Sequence, residues 1–152
     1  MTQAASLKQK ISDDVRRAMK SGDTIRRSIL RLLLSEIANA EIAKRSPLEE
    51  GDILAVIAKE VKRHQESIEA FKLGKRADLV SQEEAELAIL HEYQPRQLTR
   101  AEIEETARRI IREVAAAGPR DKGKVMPRIM AELKGKADGR EINEVVTGLL
   151  AA

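Results

Sequence analysis

Apolar side chains recur every three or four positions along the N-terminal half of the chain, which is the spacing of an amphipathic α-helix. The pattern predicts a first helix that begins after Ser6. It predicts a second helix with Asp23 as its N-cap and an end near Lys44, and a third helix capped by Asp52. Short polar segments separate the three helices.

The third segment has the most regular pattern, with positions alternately three and four residues apart. Its members are Leu54, Ile57, Val61, His64, Ile68 and Phe71. This alternation over about five turns is typical of a coiled-coil seam, and it predicts that the third helix packs along the second. Ser81 and Glu84 have the spacing of a capping box, which predicts a fourth helix from Ser81 to His91. Glu83, Glu84 and Glu86 would then lie near its positive end.

Pro95 disfavours helix in the residue before it and marks the predicted domain boundary. Thr99 and Glu102 form a second capping-box pattern, and a fifth helix follows as far as Gly118 and Pro119. The apolar residues on one face of this helix are Ile103, Ala107, Ile110, Ile111 and Val114.

The remaining pattern predicts two more helices, joined by a sharp turn. The sixth runs from Asp121 to Lys134, and Gly135 has the role of a left-handed residue after it. Asp138 is placed to cap the seventh. The inward residues of these two helices are Val125, Ile129, Leu133, Ile142, Val145, Val146 and Leu149. The sequence therefore predicts an all-α protein, with a four-helix domain at residues 1–95 and a three-helix domain at residues 96–152.

Composition supports the all-α prediction and excludes several kinds of chemistry. Hydrophobic residues make up 42% of the chain and aromatic residues 1%, and there is no cysteine. The lack of cysteine excludes disulfides and thiolate chemistry. A buried, hydrogen-bonded His64 is favoured over a metal ligand, and "HEYQ" at His91 lacks the second histidine of a zinc-protease helix. We expect no catalytic residue, no metal and no cofactor.

The N-terminal residues contain no apolar core of the kind that a signal peptide has. No apolar run approaches the roughly 20 residues of a membrane span. These observations predict a cytoplasmic protein that does not partner a membrane.

Charge is distributed unevenly along the chain. Residues 1–35 contain eight Lys and Arg against three Asp and Glu, and residues 36–95 contain eight against thirteen. Residues 96–152 contain twelve against nine, of which residues 120–140 contain seven against three. The basic ends suit a negatively charged partner, although long solvated helices also contain many charges.

The densest basic cluster lies at the predicted turn between the sixth and seventh helices. Lys134, Lys136 and Arg140 surround the turn, and Lys124 and Arg128 share a face of the preceding helix. Cationic side chains beside a helix N-terminus suit phosphate groups. Gly135, Asp138 and Gly139 would shape this corner. The shortage of aromatic residues disfavours base stacking and therefore favours recognition of a folded RNA by backbone and shape.

The stretch "GKVM…LKGKADGREINEVV" resembles the closing signature of the GatB/YqeY family. Other segments that look like stand-alone YqeY members are "SLKQKISDDVRRAMKSGD", "RSILRLLLSEIANAEI", "ILAVIAKEVKRHQESIEAFKLGKRADLV" and "EEAELAILHEYQPRQLT". The family is similar to the C-terminal tail of the B subunit of glutamine-dependent aminoacyl-tRNA amidotransferase. Departures from its pattern occur at Gln94, Pro127, Ala131 and Glu132, and the last of these thins the basic cluster.

The resemblance implies a helical two-domain fold and a link to tRNA. It also implies the family description of carbon–nitrogen ligase activity with glutamine as amido-N-donor, inherited from the larger enzyme. Because no amidase constellation or ATP site is visible in the sequence, autonomous catalysis is not expected. The predicted function is a tRNA-binding or tRNA-amidotransferase-associated accessory protein, with amidotransferase or synthetase proteins as further partners. The alternative is a helical protein-interaction module that binds no RNA and docks through its acidic residues 36–95.

Overall fold

The computed structural model describes the backbone of residues 3–151 and the side chains of residues 7–151. Within that range it contains seven α-helices, one short 3-10 turn at Pro119–Asp121 and no strand. The helices are α1 (Gln3–Ser21), α2 (Thr24–Lys44), α3 (Glu50–Leu73), α4 (Ala77–His91), α5 (Arg100–Glu113), α6 (Lys122–Glu132) and α7 (Gly139–Ala151). The prediction of an all-α protein is confirmed.

The chain divides into two compact units, Met1–Gln94 and Pro95–Ala152, which we call the N-terminal and C-terminal units. In the N-terminal unit α1 packs mainly against α2, and α3 packs mainly against α4. Helix α3 also packs against α2, as predicted, but its most extensive partner is α4. The physical reason is the connection after Leu73, which is so short that α4 folds directly back onto α3.

The C-terminal unit has a core of its own, in which α7 packs against both α5 and α6. Its buried residues are Ile103, Ala107, Ile110, Val125, Ile129, Leu133, Ile142, Val145, Val146 and Leu150. Leu150 takes the buried position at the end of α7, and the predicted Leu149 is only partly buried. In α3, likewise, Ile53 is buried in place of the predicted Leu54.

Two helix starts agree with the predicted caps. The Asp23 side chain accepts a hydrogen bond from the backbone N–H of Arg26 at the start of α2 (3.1 Å). Thr99 Oγ1 accepts one from the N–H of Glu102 at the start of α5 (3.2 Å). Both side chains satisfy N–H groups that have no partner within the helix.

Three helix starts differ from the prediction. Helix α1 begins at Gln3, before Ser6. Asp52 lies inside the first turn of α3, where its carboxylate accepts the N–H of Glu49, the true N-cap (3.2 Å). Helix α4 begins at Ala77, so that Ser81 lies inside it and caps nothing.

The end of α5 also differs, because the helix stops at Glu113, well before Gly118. Ala115 has a positive φ of 54°, so the chain leaves the helix through a left-handed residue other than glycine. Helix α6 is shorter than predicted and ends at Glu132, and it contains Pro127.

Candidate nucleic-acid interface

The turn between α6 and α7 forms a compact structure that we call the basic corner, residues 133–140. Gly135 has a φ of 79°, the left-handed conformation that was predicted for it and that glycine adopts without steric cost. The N–H of Lys136 donates to the carbonyl of Leu133 (2.9 Å) and closes the turn. The position of Lys134 and Lys136 at the tip therefore follows from the backbone.

Two hydrogen bonds from the segment before α5 hold the basic corner in place. Gln97 Nε2 donates to the carbonyl of Gly135 (2.9 Å), and the N–H of Leu98 donates to the carbonyl of Lys136 (2.9 Å). These contacts leave no pattern in the sequence, because both join residues 38 positions apart and one of them uses only backbone atoms. These two hydrogen bonds connect the backbone of the basic corner to the segment before α5, so the corner is not a free loop.

Asp138 lies immediately before α7, and its Oδ1 accepts the N–H of Arg140 (3.2 Å). The role of Asp138 in shaping the corner stays a prediction. A Cβ added at Gly139 would lie 3.2 Å from Met130 Cε, the flexible end of an exposed side chain that would have to move only slightly. Because a carboxylate already lies at the start of α7, the helix N-terminus is poorly suited to a phosphate, and the cationic side chains remain the better ligands.

Three of the five predicted cations belong to the basic corner and are exposed to solvent: Lys134, Lys136 and Arg140. Among the side chains described for residues 7–151, Lys136 and Arg140 meet no carboxylate at ion-pair distance. Such cations are available to an external anion without giving up an internal partner.

The other two predicted cations lie on α6 and are engaged with carboxylates. Lys124 Nζ is 3.5 Å from Asp121 Oδ1, and Arg128 Nη2 is 2.7 Å from Glu113 Oε2. The hydrogen bond from Arg109, followed by the charge of Arg128, holds the pKa of Glu113 below its usual value. A phosphate at Lys124 or Arg128 would have to compete with these carboxylates.

Glu132 was expected to thin the basic cluster, but its carboxylate forms an ion pair with Arg109 on α5. Arg109 also pairs with Glu113 (3.0 Å). The Glu132 charge is therefore compensated by α5.

The two histidines occupy different environments. His64 is 6% exposed and hydrogen-bonded, as predicted. Burial alone would lower its pKa, but the Glu60 carbonyl and then the Glu86 and Glu83 carboxylates outweigh burial and raise the pKa above its usual value. His91 is exposed, and its Nδ1 lies 2.9 Å from Gln94 Oε1.

Residues 8–150 match the family described as "Yqey-like protein". The chain belongs to this YqeY-like family. The match includes every helix that positions the basic corner. This assignment agrees with the resemblance of the "LKGKADGREINEVV" stretch, which contains the turn and the first half of α7.

Curated relatives of this YqeY-like chain are named "Altered inheritance of mitochondria protein 41, mitochondrial". The relative from Pyrenophora tritici-repentis is 32% identical over 144 residues, which are 90% of this chain and 79% of that protein. The one from Kluyveromyces lactis is 40% identical over 91 residues, 59% of this chain and 47% of that protein. One from Saccharomyces cerevisiae is 33% identical over 93 residues, 60% of this chain and 49% of that protein. The match thus spans about half the length of the two yeast relatives.

No helix within the described part of this YqeY-like chain is long and apolar enough to cross a membrane. The names of the relatives place those proteins in mitochondria. The predicted cytoplasmic location of this chain therefore stays a prediction.

Proposed function

We propose that this YqeY-like protein is a tRNA-binding accessory protein without an active site of its own, and that the basic corner contacts tRNA phosphates. The partner proteins in this proposal are an amidotransferase or a synthetase that acts on the same tRNA. The proposal includes the domain division predicted from the sequence, at residues 1–95 and 96–152. It assigns the RNA contacts to the second domain.

The observation that supports it most is the supported basic corner. Lys136 and Arg140 are exposed and have no carboxylate partner among the described side chains, and two hydrogen bonds hold the backbone beneath them. A backbone that is already held in place loses less conformational entropy on binding than a mobile loop does, although the two cationic side chains must still be ordered. Phosphate contacts of this kind position a nucleic acid without reading its bases.

The environment of the two aromatic residues favours folded RNA over single strands. Tyr93 is 6% exposed, and Phe71 is partly buried. Proteins that hold single strands stack bases on accessible aromatic rings. A backbone and shape contact with a folded RNA needs no such ring.

The experiment is a salt series of binding to bulk tRNA and to duplex DNA of equal length, with the wild-type chain and the Lys136→Glu/Arg140→Glu double variant. The logarithm of the affinity should fall linearly with that of the salt concentration, by about 0.7–0.9 per phosphate neutralised. We expect a preference for tRNA. We expect the variant to bind more weakly, and we expect the slope of its affinity against salt to decrease by the contribution of about two phosphates.

The matched control is Arg108→Glu/Arg112→Glu, which makes the same change in net charge on the exposed face of α5. The proposal predicts that this control keeps most of the affinity. Equal losses of tRNA affinity in the two double variants would show that the effect comes from net charge alone. Unchanged tRNA affinity in a folded Lys136→Glu/Arg140→Glu protein would show that the corner is not the site.

A protein-interaction module is the second candidate, and exposed apolar side chains on the N-terminal unit favour it. Leu73 is 87% exposed and Ile42 is 74% exposed, near the ends of α3 and α2. Exposed apolar side chains indicate a contact surface only where they form a patch, so each of the two is tested singly. A pull-down partner that resists nuclease and is lost in Leu73→Ser or in Ile42→Ser would support this candidate.

A further inference from the structure

A histidine and two glutamates converge where α3 packs against α4 in the N-terminal unit. His64 projects from α3, and Glu83 and Glu86 project from α4, one turn apart. His64 Nε2 lies 2.9 Å from Glu86 Oε2 and 3.6 Å from Glu83 Oε2. Across the described residues, these three form the one group of three or more potential metal ligands whose donor atoms all lie within 4.8 Å of one another.

The orientation of the His64 ring is set by its other nitrogen. Nδ1 lies 2.9 Å from the backbone carbonyl of Glu60, an oxygen that can only accept, so Nδ1 carries a proton. This leaves Nε2 directed at the two carboxylates. Metal-binding histidines commonly have the same arrangement, with the outer nitrogen bonded to a carbonyl or carboxylate that fixes the ring.

The carboxylates lack another cation. Glu60 is compensated by Arg63 at 2.8 Å, but no Lys or Arg of the described residues pairs with Glu83 or Glu86. Gln82 adds a neutral donor, with its Nε2 3.5 Å from Glu86 Oε1. Two carboxylates that share one imidazole therefore favour a positive charge between them, either a proton or a metal ion.

The distances suit an ion. Two ligand atoms that lie ~2.0–2.2 Å from a metal ion, at the angles of tetrahedral or octahedral sites, are ~2.8–3.6 Å apart. The separations of His64 Nε2 from Glu86 and Glu83 fall at the two ends of that range. The side chains of Glu83 and Glu86 keep 22% and 18% of their surface exposed, which gives an ion a route from solvent.

We propose that His64, Glu83 and Glu86 form a binding site for a first-row divalent cation such as Zn²⁺, which joins α3 to α4. One imidazole nitrogen and two carboxylate oxygens suit Zn²⁺ better than Mg²⁺, which prefers all-oxygen coordination. This site is independent of the proposed RNA contacts, and it departs from the sequence-based expectation of no metal. The sequence obscured it because His64 lies in an apolar seam and its partners are 19 and 22 residues away.

The experiment uses the untagged chain of 152 residues, treated with a chelator and then titrated with Zn²⁺ by calorimetry. Co²⁺ serves as a second probe, since its visible absorption reports coordination. We expect one Zn²⁺ per chain and a Tm that rises with Zn²⁺ concentration. His64→Gln and Glu86→Gln should each weaken Zn²⁺ binding at least about tenfold. Loss of a residue that only orients a metal ligand already weakens binding by about that factor, so loss of a ligand should cost no less.

His91→Gln is the matched control, because it removes the other histidine of the chain from an exposed position. It should bind Zn²⁺ as the wild type does. Glu83→Gln provides a third ligand variant at a partly exposed position if His64→Gln fails to fold. Absence of binding by the wild type, unchanged affinity in folded ligand variants, or an equal loss in His91→Gln would each overturn the proposal.

Discussion

Tyr93 occupies a position that no pattern in the sequence indicates. The ring is buried in the core of the N-terminal unit, Lys10 Nζ lies 5.1 Å from its centroid, and its hydroxyl donates to Asp14 on α1. A buried phenol needs a hydrogen-bond partner, and a carboxylate is a strong one. Burial, followed by the hydrogen bond to Asp14, raises the pKa of Tyr93 above its usual value.

This environment predicts a change of stability in alkaline solution. The unfolded chain releases the phenolic proton near pH 10, and the folded chain holds it to higher pH. The free energy of unfolding should therefore fall as pH rises above about 10. Because Tyr93 is the only tyrosine and there is no tryptophan, tyrosinate absorbance reports this residue alone.

Tyr93→Phe tests the same residue at neutral pH. The loss of a hydrogen bond to a charged group costs about 1.5–3 kcal/mol, and denaturant unfolding would measure it. The variant should also lose part of the alkaline pH dependence. A folded-state titration at the usual value for an exposed tyrosine would contradict this account of the residue.

Single-residue predictions succeeded where the cause is local. Asp23 and Thr99 cap their helices because each side chain lies three residues before an unpaired N–H and is within reach of it. The carboxylates at Glu83 and Glu86 were assigned to a helix end, and their actual neighbour is His64 on another helix. Contacts of that kind depend on packing, which spacing along one segment does not contain.

At the scale of elements, the turns determine which helices pack together and where each helix begins. The apolar spacing identified all seven helices, but it did not identify the principal partner of α3. The turn after α3 contains Lys75 with a φ of 56°, and α4 starts two residues later. Ser81 and Glu84 have the spacing of a capping box, yet they lie inside α4, because the helix had already begun.

Two glycine substitutions in the C-terminal unit should have opposite effects on stability. Gly135→Ala should destabilise the protein by about 1–2 kcal/mol, because a Cβ is strained at its positive φ. Gly148→Ala, inside α7 with open space around it, should stabilise the protein by about 0.5–1 kcal/mol. Denaturant unfolding of both variants provides the measurement, and effects of the same sign would be inconsistent with these conformations.

On the scale of the whole molecule, each compact unit has a hydrophobic cluster of its own. The composition and the break at Pro95 were sufficient to predict helical structure on both sides of it. The left-handed conformation of Gly135 was predictable, but the support of the basic corner was not, because Gln97 and Leu98 provide it from outside the motif.

The separate clusters predict that residues 95–152 fold without the rest of the chain. A domain of roughly 60 residues buries only about 60% of the surface of its unfolded chain, so its stability should be small, about 3–5 kcal/mol. Circular dichroism should show a helical spectrum and a cooperative thermal transition. A fragment that is unfolded at low temperature would show that the cluster is insufficient.

The hydrogen bond from the Leu98 N–H to the Lys136 carbonyl has an evolutionary consequence. The donor belongs to the peptide backbone, so any amino acid other than proline can supply it. The Leu98 side chain itself packs against the core of the C-terminal unit, so the position favours apolar residues, but the hydrogen bond does not depend on which of them is present. An insertion or deletion between Pro95 and Thr99 would shift the donor out of register with its acceptor. The constraint therefore acts on the length of the segment, and an alignment would show it as an absence of gaps.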